Sequence, residues 1–174
     1  ANSKYFEYFA RGLAMSVHKC GLPLHLHVLN PTDSAVTMAK LITEKLPTVT
    51  ATWHADPTEL TFKVNVRHRF CANVRIHLLP QLLAVPHVQR ITTIDMDSVF
   101  NKPFDLMAVS QPIGMFLRDT WDFSHRPEHK RLEVMVLASM WWLDKSQIPY
   151  AQAVSDYITE RGPRWLIDQE ALYV

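Results

Sequence analysis

The sequence is poor in three features that would each indicate a particular class of protein. Two cysteines, Cys20 and Cys71, lie in segments with helical spacing, so free thiols in a reducing, cytoplasmic setting are expected rather than a disulfide framework. No apolar run approaches the roughly 20 residues that span a bilayer. The formal net charge of +1 provides no basic surface for nucleic acid. We therefore expect no transmembrane segment and no nucleic-acid partner.

What the chain does contain is enough apolar material for one core. Its 174 residues are 48% hydrophobic and 20% charged, which is typical of a single globular domain. Helical and strand patterns alternate with short turns. The first helix shows Phe6, Phe9, Leu13 and Val17 at helical spacing, with Asn2 or Ser3 as N-cap. It is followed by a strand at 24–30, a helix at 34–46 capped by Ser34, and a strand at 48–53. This alternation favours an α/β architecture with a parallel sheet and crossover helices.

Two aspartates follow a strand-like run in the middle of the chain. Ile91 and Ile94 lie among β-branched threonines, and the run ends at Asp95-Met96-Asp97. Since side chains alternate along an extended segment, both carboxylates should point to the same side, where they would repel each other. A divalent cation would remove that repulsion, and Mg²⁺ or Mn²⁺ binds carboxylate and phosphate oxygens together. In the alternative, one aspartate caps the following turn and the other is solvated.

The Asp95-Met96-Asp97 segment resembles the Asp-x-Asp segment of nucleotide-sugar glycosyltransferases of the GT-A fold, close to family 8 and its relatives. Upstream, RFCANVRIHLLPQLL (69–83) is similar to that family's run of an aromatic residue, an arginine and Leu-Pro-x-Leu-Leu, and Arg75 matches the arginine. Near the end of the chain, Asp168-Gln169 followed by Ala171-Leu172 is similar to the Asp-Gln-x-x-Leu motif. The three segments occur in the family's order.

The resemblance implies a Rossmann-like GT-A fold, with a mixed, mainly parallel sheet flanked by helices, as one domain over 1–174. In the family a first strand precedes the opening helix, and residues at the junction of strand and helix bind the base and ribose of the nucleotide. Asn2 and Tyr5 match these junction residues. A third metal ligand, usually histidine, lies beyond the Asp-Gln motif. The chain is therefore expected to be a fragment without the first strand and the C-terminal part.

By the same resemblance, the expected activity is transfer of a hexose from a nucleotide donor, with UDP-sugar favoured, to a hydroxyl acceptor, with retention of configuration. Asp95 and Asp97 would hold Mn²⁺ or Mg²⁺ on the diphosphate. Donor binding is implied for four residues, which are Arg75, Asp95, Met96 and Ser139. Asp168 and Gln169 would lie at the transfer point and orient the sugars. Ser139 replaces the small-residue pair of the family's Asn-Ser-Gly segment, whose asparagine is absent here. The polar stretch 118–131 is a candidate cover for the acceptor.

Two other functions stay open from the sequence. One is a catalytically inactive glycosyltransferase-like domain with a binding or assembly role, for which metal-dependent nucleotide-sugar binding without turnover would be diagnostic. The other is a divalent-metal hydrolase that uses the same aspartates, for which release of free sugar without an acceptor would be diagnostic. Both share the metal site and differ from the transferase in the fate of the sugar.

Overall fold

The structure is a computed structural model, and it describes residues 1–103, 105, 107–118, 135–163 and 167–173. It is a mixed α/β protein that divides into two compact units. Unit 1 contains Ala1–Arg75 and Asp95–Ala108, and unit 2 contains Ile76–Ile94 and Val109–Val174. The mixed α/β class confirms the coarse prediction, whereas the single GT-A domain stays a prediction.

Unit 1 is built around a parallel strand pair with a crossover helix. Its elements are α1 (Ser3–Lys19), β1 (Leu24–Leu29), α2 (Asp33–Lys45), β2 (Val49–His54), the short α3 (Thr58–Thr61) and the first part of α4 (Val64–Ala84). Strands β1 and β2 pair in parallel, from Leu24 opposite Val49 to Leu29 opposite His54. Helices α1 and α2 pack against these strands and against each other. The crossover unit predicted from the alternation is thus present.

Details at the helix ends and faces differ from the sequence expectation. Asn2 caps α1, as predicted, but the cap of α2 is Thr32, whose hydroxyl accepts the Ala35 amide at 3.1 Å. The hydroxyl must precede the first turn to reach this amide, and Ser34 already lies inside the helix. Phe9 was expected in the core but is 39% exposed, because the buried stripe of α1 uses Ala10 and Ala14 instead.

Unit 2 contains an antiparallel sheet in the order β3-β5-β4. Its elements are the rest of α4, β3 (Arg90–Ile94), β4 (Ile113–Arg118), β5 (Met135–Asp144), a 3₁₀ turn (Lys145–Gln147), α5 (Ile148–Arg161) and α6 (Ile167–Tyr173). The expected mainly parallel sheet is therefore wrong for the described strands, of which only β1 and β2 are parallel. Both β3 and β4 pair antiparallel with β5, which lies between them.

The core of unit 2 contains residues of β5 and of the helices that pack against it. Trp141 and Leu143 of β5 are fully buried together with residues of α4, α5 and α6. Gly114 of β4 lies opposite Trp142, and a Cβ at this glycine would approach the indole to within 1.8 Å. Trp141 is thus a core residue, and the indole of Trp142 fits only because Gly114 has no side chain.

The helices also bear on two expectations from composition. Among the described residues, no helix is both long enough and apolar enough to cross a bilayer. Cys20 ends α1 and Cys71 is buried in α4, and both are free thiols. The prediction of free thiols in helical segments is thereby confirmed.

Candidate functional site

The two central aspartates lie in a turn directly after β3. The Ser98 amide donates to the Asp95 carbonyl at 3.0 Å, which closes the turn around Met96 and Asp97. The Asp95 side chain is 42% exposed, Asp97 is exposed and Met96 is half-buried. The predicted placement of the pair at the exit of a strand is confirmed, and both carboxylates have access to solvent.

Asp95 is paired with the arginine that the sequence singled out. Arg75, in α4, donates from Nη1 to Oδ1 of Asp95 at 2.5 Å. The two residues are 20 positions apart, and both belong to unit 1. A charge-assisted hydrogen bond of this kind fixes the carboxylate and places a permanent positive charge beside it. The arginine and the first aspartate of the two motifs are therefore in direct contact.

Asp97 has a different partner, Tyr5 of α1. The Tyr5 phenol interacts electrostatically with the Asp97 carboxylate, and the Tyr5 ring lies 4.7 Å from that of Phe9. Desolvation of the phenol, then the hydrogen bond to Asp97 and the charges of Asp97 and Asp95, raise the pKa of Tyr5 to about 12. Tyr5 is thus a neutral hydrogen-bond donor at physiological pH, and the two aspartates are stabilised by two different groups.

Asn2 supports this arrangement from the start of α1. Its side-chain oxygen accepts the Tyr5 amide at 2.9 Å, and its backbone forms a parallel bridge with Leu29 at the end of β1. An N-cap fixes the first turn of its helix. Asn2 therefore has a structural role in placing Tyr5, and its predicted contact with the nucleotide remains a prediction.

The donor set at Asp95 and Asp97 fits a hard divalent cation that is shared with a phosphate. Each carboxylate has two oxygens, and metal-bound carboxylates are commonly hydrogen-bonded to neighbouring groups, as Asp95 is to Arg75. In the part of the chain that the structure describes, no three His, Cys, Asp or Glu side chains converge on one point. Mg²⁺ is commonly held by one or two carboxylates, with substrate phosphates and water as the other ligands. The pair therefore suits a substrate-completed site better than a closed protein site.

The remaining predicted site residues belong to unit 2. Ser139 is an exposed residue of β5. Asp168 and Gln169 lie in the first turn of α6, where Oδ1 of Asp168 accepts the Gln169 amide at 3.0 Å. A carboxylate in the first turn of a helix stabilises that helix electrostatically. Within the described residues, the buried Oε1 of Gln169 has no hydrogen-bond donor.

The predicted residues thus divide between the two units. Unit 1 contains Asn2, Tyr5, Arg75 and the Asp95-Met96-Asp97 segment, and contacts between side chains connect most of them. Unit 2 contains Ser139, Asp168 and Gln169, whose roles stay predictions. The candidate acceptor cover at 118–131 lies outside the described residues apart from Arg118.

Sequence reasoning did not find the contact between Tyr5 and Asp97 or a second contact of α1, from Ser16 to the Phe100 amide at 3.1 Å. Tyr5 and Asp97 are 92 positions apart in the sequence, and Ser16 and Phe100 are 84 positions apart. No local sequence pattern connects residues at such separations. One signal was present, because Tyr5 and Ser16 are eleven residues apart and therefore three turns apart on one face of a helix. A polar residue at each of these positions interrupts an otherwise apolar pattern.

No protein-family model and no curated protein matches this chain. The resemblance to glycosyltransferases therefore depends on the three motifs alone, and the function has to be argued from the geometry around Asp95 and Asp97.

Proposed function

We propose that this chain is a metal-dependent glycosyltransferase domain of GT-A type, which transfers a sugar from a nucleotide-diphosphate donor to a hydroxyl acceptor. The observation that carries the proposal is the Asp95-Met96-Asp97 turn at the exit of β3, with Arg75 on one carboxylate and Tyr5 on the other. It combines an exposed anionic pair with a fixed guanidinium. This combination suits a divalent cation and a diphosphate bound side by side.

The roles of the residues follow from their charges and partners. Asp95 and Asp97 would hold Mn²⁺ or Mg²⁺ through their carboxylate oxygens. Arg75 fixes Asp95 and adds positive charge near the position of a diphosphate. Tyr5 lies within electrostatic reach of Asp97 and stays a neutral phenol, because its pKa is raised to about 12. Bound there, the cation would neutralise negative charge on the departing nucleoside diphosphate.

The finer features of the proposal come from the family resemblance. These are the UDP-sugar as donor, retention of configuration, and a donor contact from Ser139. Asp168 and Gln169 are proposed to bind sugar hydroxyls, since a carboxylate and an amide together accept and donate several hydrogen bonds. Two free thiols support a reducing, cytoplasmic setting.

The test is calorimetric titration of the chain with UDP and with GDP, each with and without Mn²⁺. We expect UDP binding that requires Mn²⁺ and that Asp97→Ala weakens by at least about tenfold, since a carboxylate ligand is lost. The matched control is Asp105→Ala, which removes an exposed carboxylate whose described hydrogen bond is to the Met107 amide at 2.8 Å, in the same part of unit 1. Its affinity for Mn²⁺ and UDP should equal that of the unmodified chain.

Binding of neither nucleotide in the presence of Mn²⁺ would contradict the proposal. Equal loss in Asp97→Ala and Asp105→Ala would also contradict it, because the effect would then be general electrostatics rather than ligation. Preference for GDP over UDP would retain the transferase and overturn the UDP-sugar assignment.

One observation favours a second function, which is a nucleotide-sugar-binding domain without transferase activity. Arg75 already pairs with Asp95 within unit 1, so this carboxylate is stabilised without a cation. A site that is stable when empty suits reversible binding as well as catalysis. Mn²⁺-dependent UDP-sugar binding without release of UDP on any acceptor would identify this function, whereas release of free sugar would indicate a hydrolase.

A further inference from the structure

Helix α1 contacts the Asp95–Phe100 segment at two points on one face. Tyr5 and Ser16 are eleven residues apart, which corresponds to about three turns and places both side chains on the same side of the helix. Ser16 accepts the Phe100 amide at 3.1 Å, and Tyr5 interacts electrostatically with Asp97. All of these residues belong to unit 1.

Ser16 is an unusual residue for the interior of this helix. It is 8% exposed, among the apolar side chains that form the buried stripe of α1. Its hydroxyl donates to the Leu13 carbonyl at 2.8 Å, which leaves the oxygen lone pairs to accept the Phe100 amide. A buried hydroxyl is costly unless it is hydrogen-bonded, and this one is satisfied partly by the segment that follows the aspartates.

The segment is therefore held at successive points along its length. Arg75 is hydrogen-bonded to Asp95, the Ser98 amide closes the turn on the Asp95 carbonyl, and the Ser16 hydroxyl accepts the Phe100 amide. The Ser16 contact lies three residues after Asp97, so it limits the positions open to the backbone that carries this carboxylate. Side chains that bind a metal must be held close to their binding geometry by surrounding contacts.

We propose that Ser16 is a positioning residue for the Asp95 and Asp97 carboxylates, acting through its hydrogen bond to the Phe100 amide. The proposal rests on the function proposed above, because it assumes that these carboxylates bind a divalent cation. It adds one requirement for metal binding to the Asp95-Met96-Asp97 motif and the pair of Arg75 and Asp95. The buried Ser16 hydroxyl of α1 must hold the backbone where the chain leaves the turn.

The experiment measures Mn²⁺ affinity by calorimetry, and hydrogen exchange of the Phe100 amide by NMR, in the whole chain. The variants are Ser16→Ala, which removes the acceptor, and Ser16→Cys, which retains a weaker one at similar size. Affinity for Mn²⁺ should fall in the order Ser, Cys, Ala, by about threefold to tenfold overall. Exchange at Phe100 should accelerate in the same order by at least about tenfold.

The matched control is Thr43→Val in α2. The Thr43 hydroxyl donates to the Lys40 carbonyl at 3.0 Å within its own helix, so this variant removes a helical hydroxyl without touching the segment after β3. It should leave both readouts unchanged. A purely structural effect of Ser16 would lower stability in Ser16→Ala without a graded change in Mn²⁺ affinity.

The outcomes separate the two proposals. If the unmodified chain binds Mn²⁺ and both Ser16 variants bind it equally well, the positioning role is overturned and the proposed function is retained. If the unmodified chain binds no Mn²⁺ while Phe100 exchange responds to the variants, the proposed function fails and the contact is structural only. If Ser16→Ala does not fold, Ser16→Cys alone decides between a lowered and an unchanged affinity.

Discussion

Each unit of the molecule contains an arginine paired with an aspartate, and the two pairs differ in burial and in the number of contacts. In unit 2, the Arg90 side chain is 5% exposed and donates through Nε and Nη2 to both oxygens of Asp144. Its guanidinium also donates to the carbonyls of Val109 and Gln111. In unit 1, the Arg75 side chain is 24% exposed and contacts Asp95 through Nη1, and Asp95 is 42% exposed.

The difference in burial and in the number of contacts indicates that the two arginine–aspartate pairs have different roles. A buried, bidentate pair whose guanidinium also binds two carbonyls fastens the ends of β3 and β5, where Arg90 and Asp144 are register partners. A half-exposed pair beside a second exposed carboxylate contributes little to stability but keeps anionic oxygens in reach of solvent. We therefore interpret the pair in unit 2 as structural and the pair in unit 1 as part of a binding site.

The largest expected effect is the loss of the structural pair. Arg90→Gln should lower the free energy of unfolding by about 3 kcal/mol, because it leaves a largely buried Asp144 without its partner. Arg75→Gln, the matched change in unit 1, should lower it by less than about 1 kcal/mol. Urea unfolding followed by circular dichroism measures both values.

Equal losses for the two arginine variants would contradict the distinction between a structural and a functional pair. A larger loss for Arg75→Gln than for Arg90→Gln would reverse it.

The two pairs also show what a sequence can predict. Arg75 and Asp95 were found because each lies in a motif, and the helices and strands were found because their apolar spacing is local. The pair of Arg90 and Asp144 was not found, since its members are 54 residues apart and meet only through the antiparallel register of β3 and β5. Strand direction, like the contact of Tyr5 with Asp97, depends on tertiary packing that no local pattern encodes.

A second expected effect concerns the polar face of the sheet in unit 1. His27 contacts Thr52 Oγ1 through Nδ1 and His54 Nδ1 through Nε2, each at 2.8 Å. Burial, followed by the charges of His54, the N-terminal ammonium and His25, lowers the pKa of His27 to about 4. As the pH falls, His27 of the unfolded chain takes up a proton near its ordinary pKa of 6.5, whereas His27 of the folded chain does so only near pH 4.

The stability that neutral His27 contributes is consequently complete above pH 6.5 and is lost as the pH falls toward about 4. His27→Gln should make the unfolding free energy less dependent on pH in this interval, and His87→Gln, at an exposed histidine of unit 2, should not. Urea titrations between these pH limits measure the slopes. An unchanged slope in His27→Gln would show that acid acts elsewhere.

The smallest expected effect is at Tyr5. Its pKa of about 12 lies above the ordinary value of 10.0, raised by desolvation and then by Asp97 and Asp95, so the neutral phenol stabilises the fold below about pH 10 and this contribution is lost as the pH rises through about 12. The ultraviolet difference titration between the unmodified chain and Tyr5→Phe isolates this phenol. In Asp97→Asn its pKa should decrease toward 10, and no decrease would contradict the contact.

The most direct test of the central claim is to count bound Mn²⁺ by electron paramagnetic resonance, in which the signal of the free ion disappears on binding. The account predicts one Mn²⁺ per chain in the presence of UDP, lost in Asp95→Asn and Asp97→Asn and retained in Asp105→Asn. Binding that persists in both Asp95→Asn and Asp97→Asn, or that is absent from the unmodified chain, would contradict a metal site at the exit of β3.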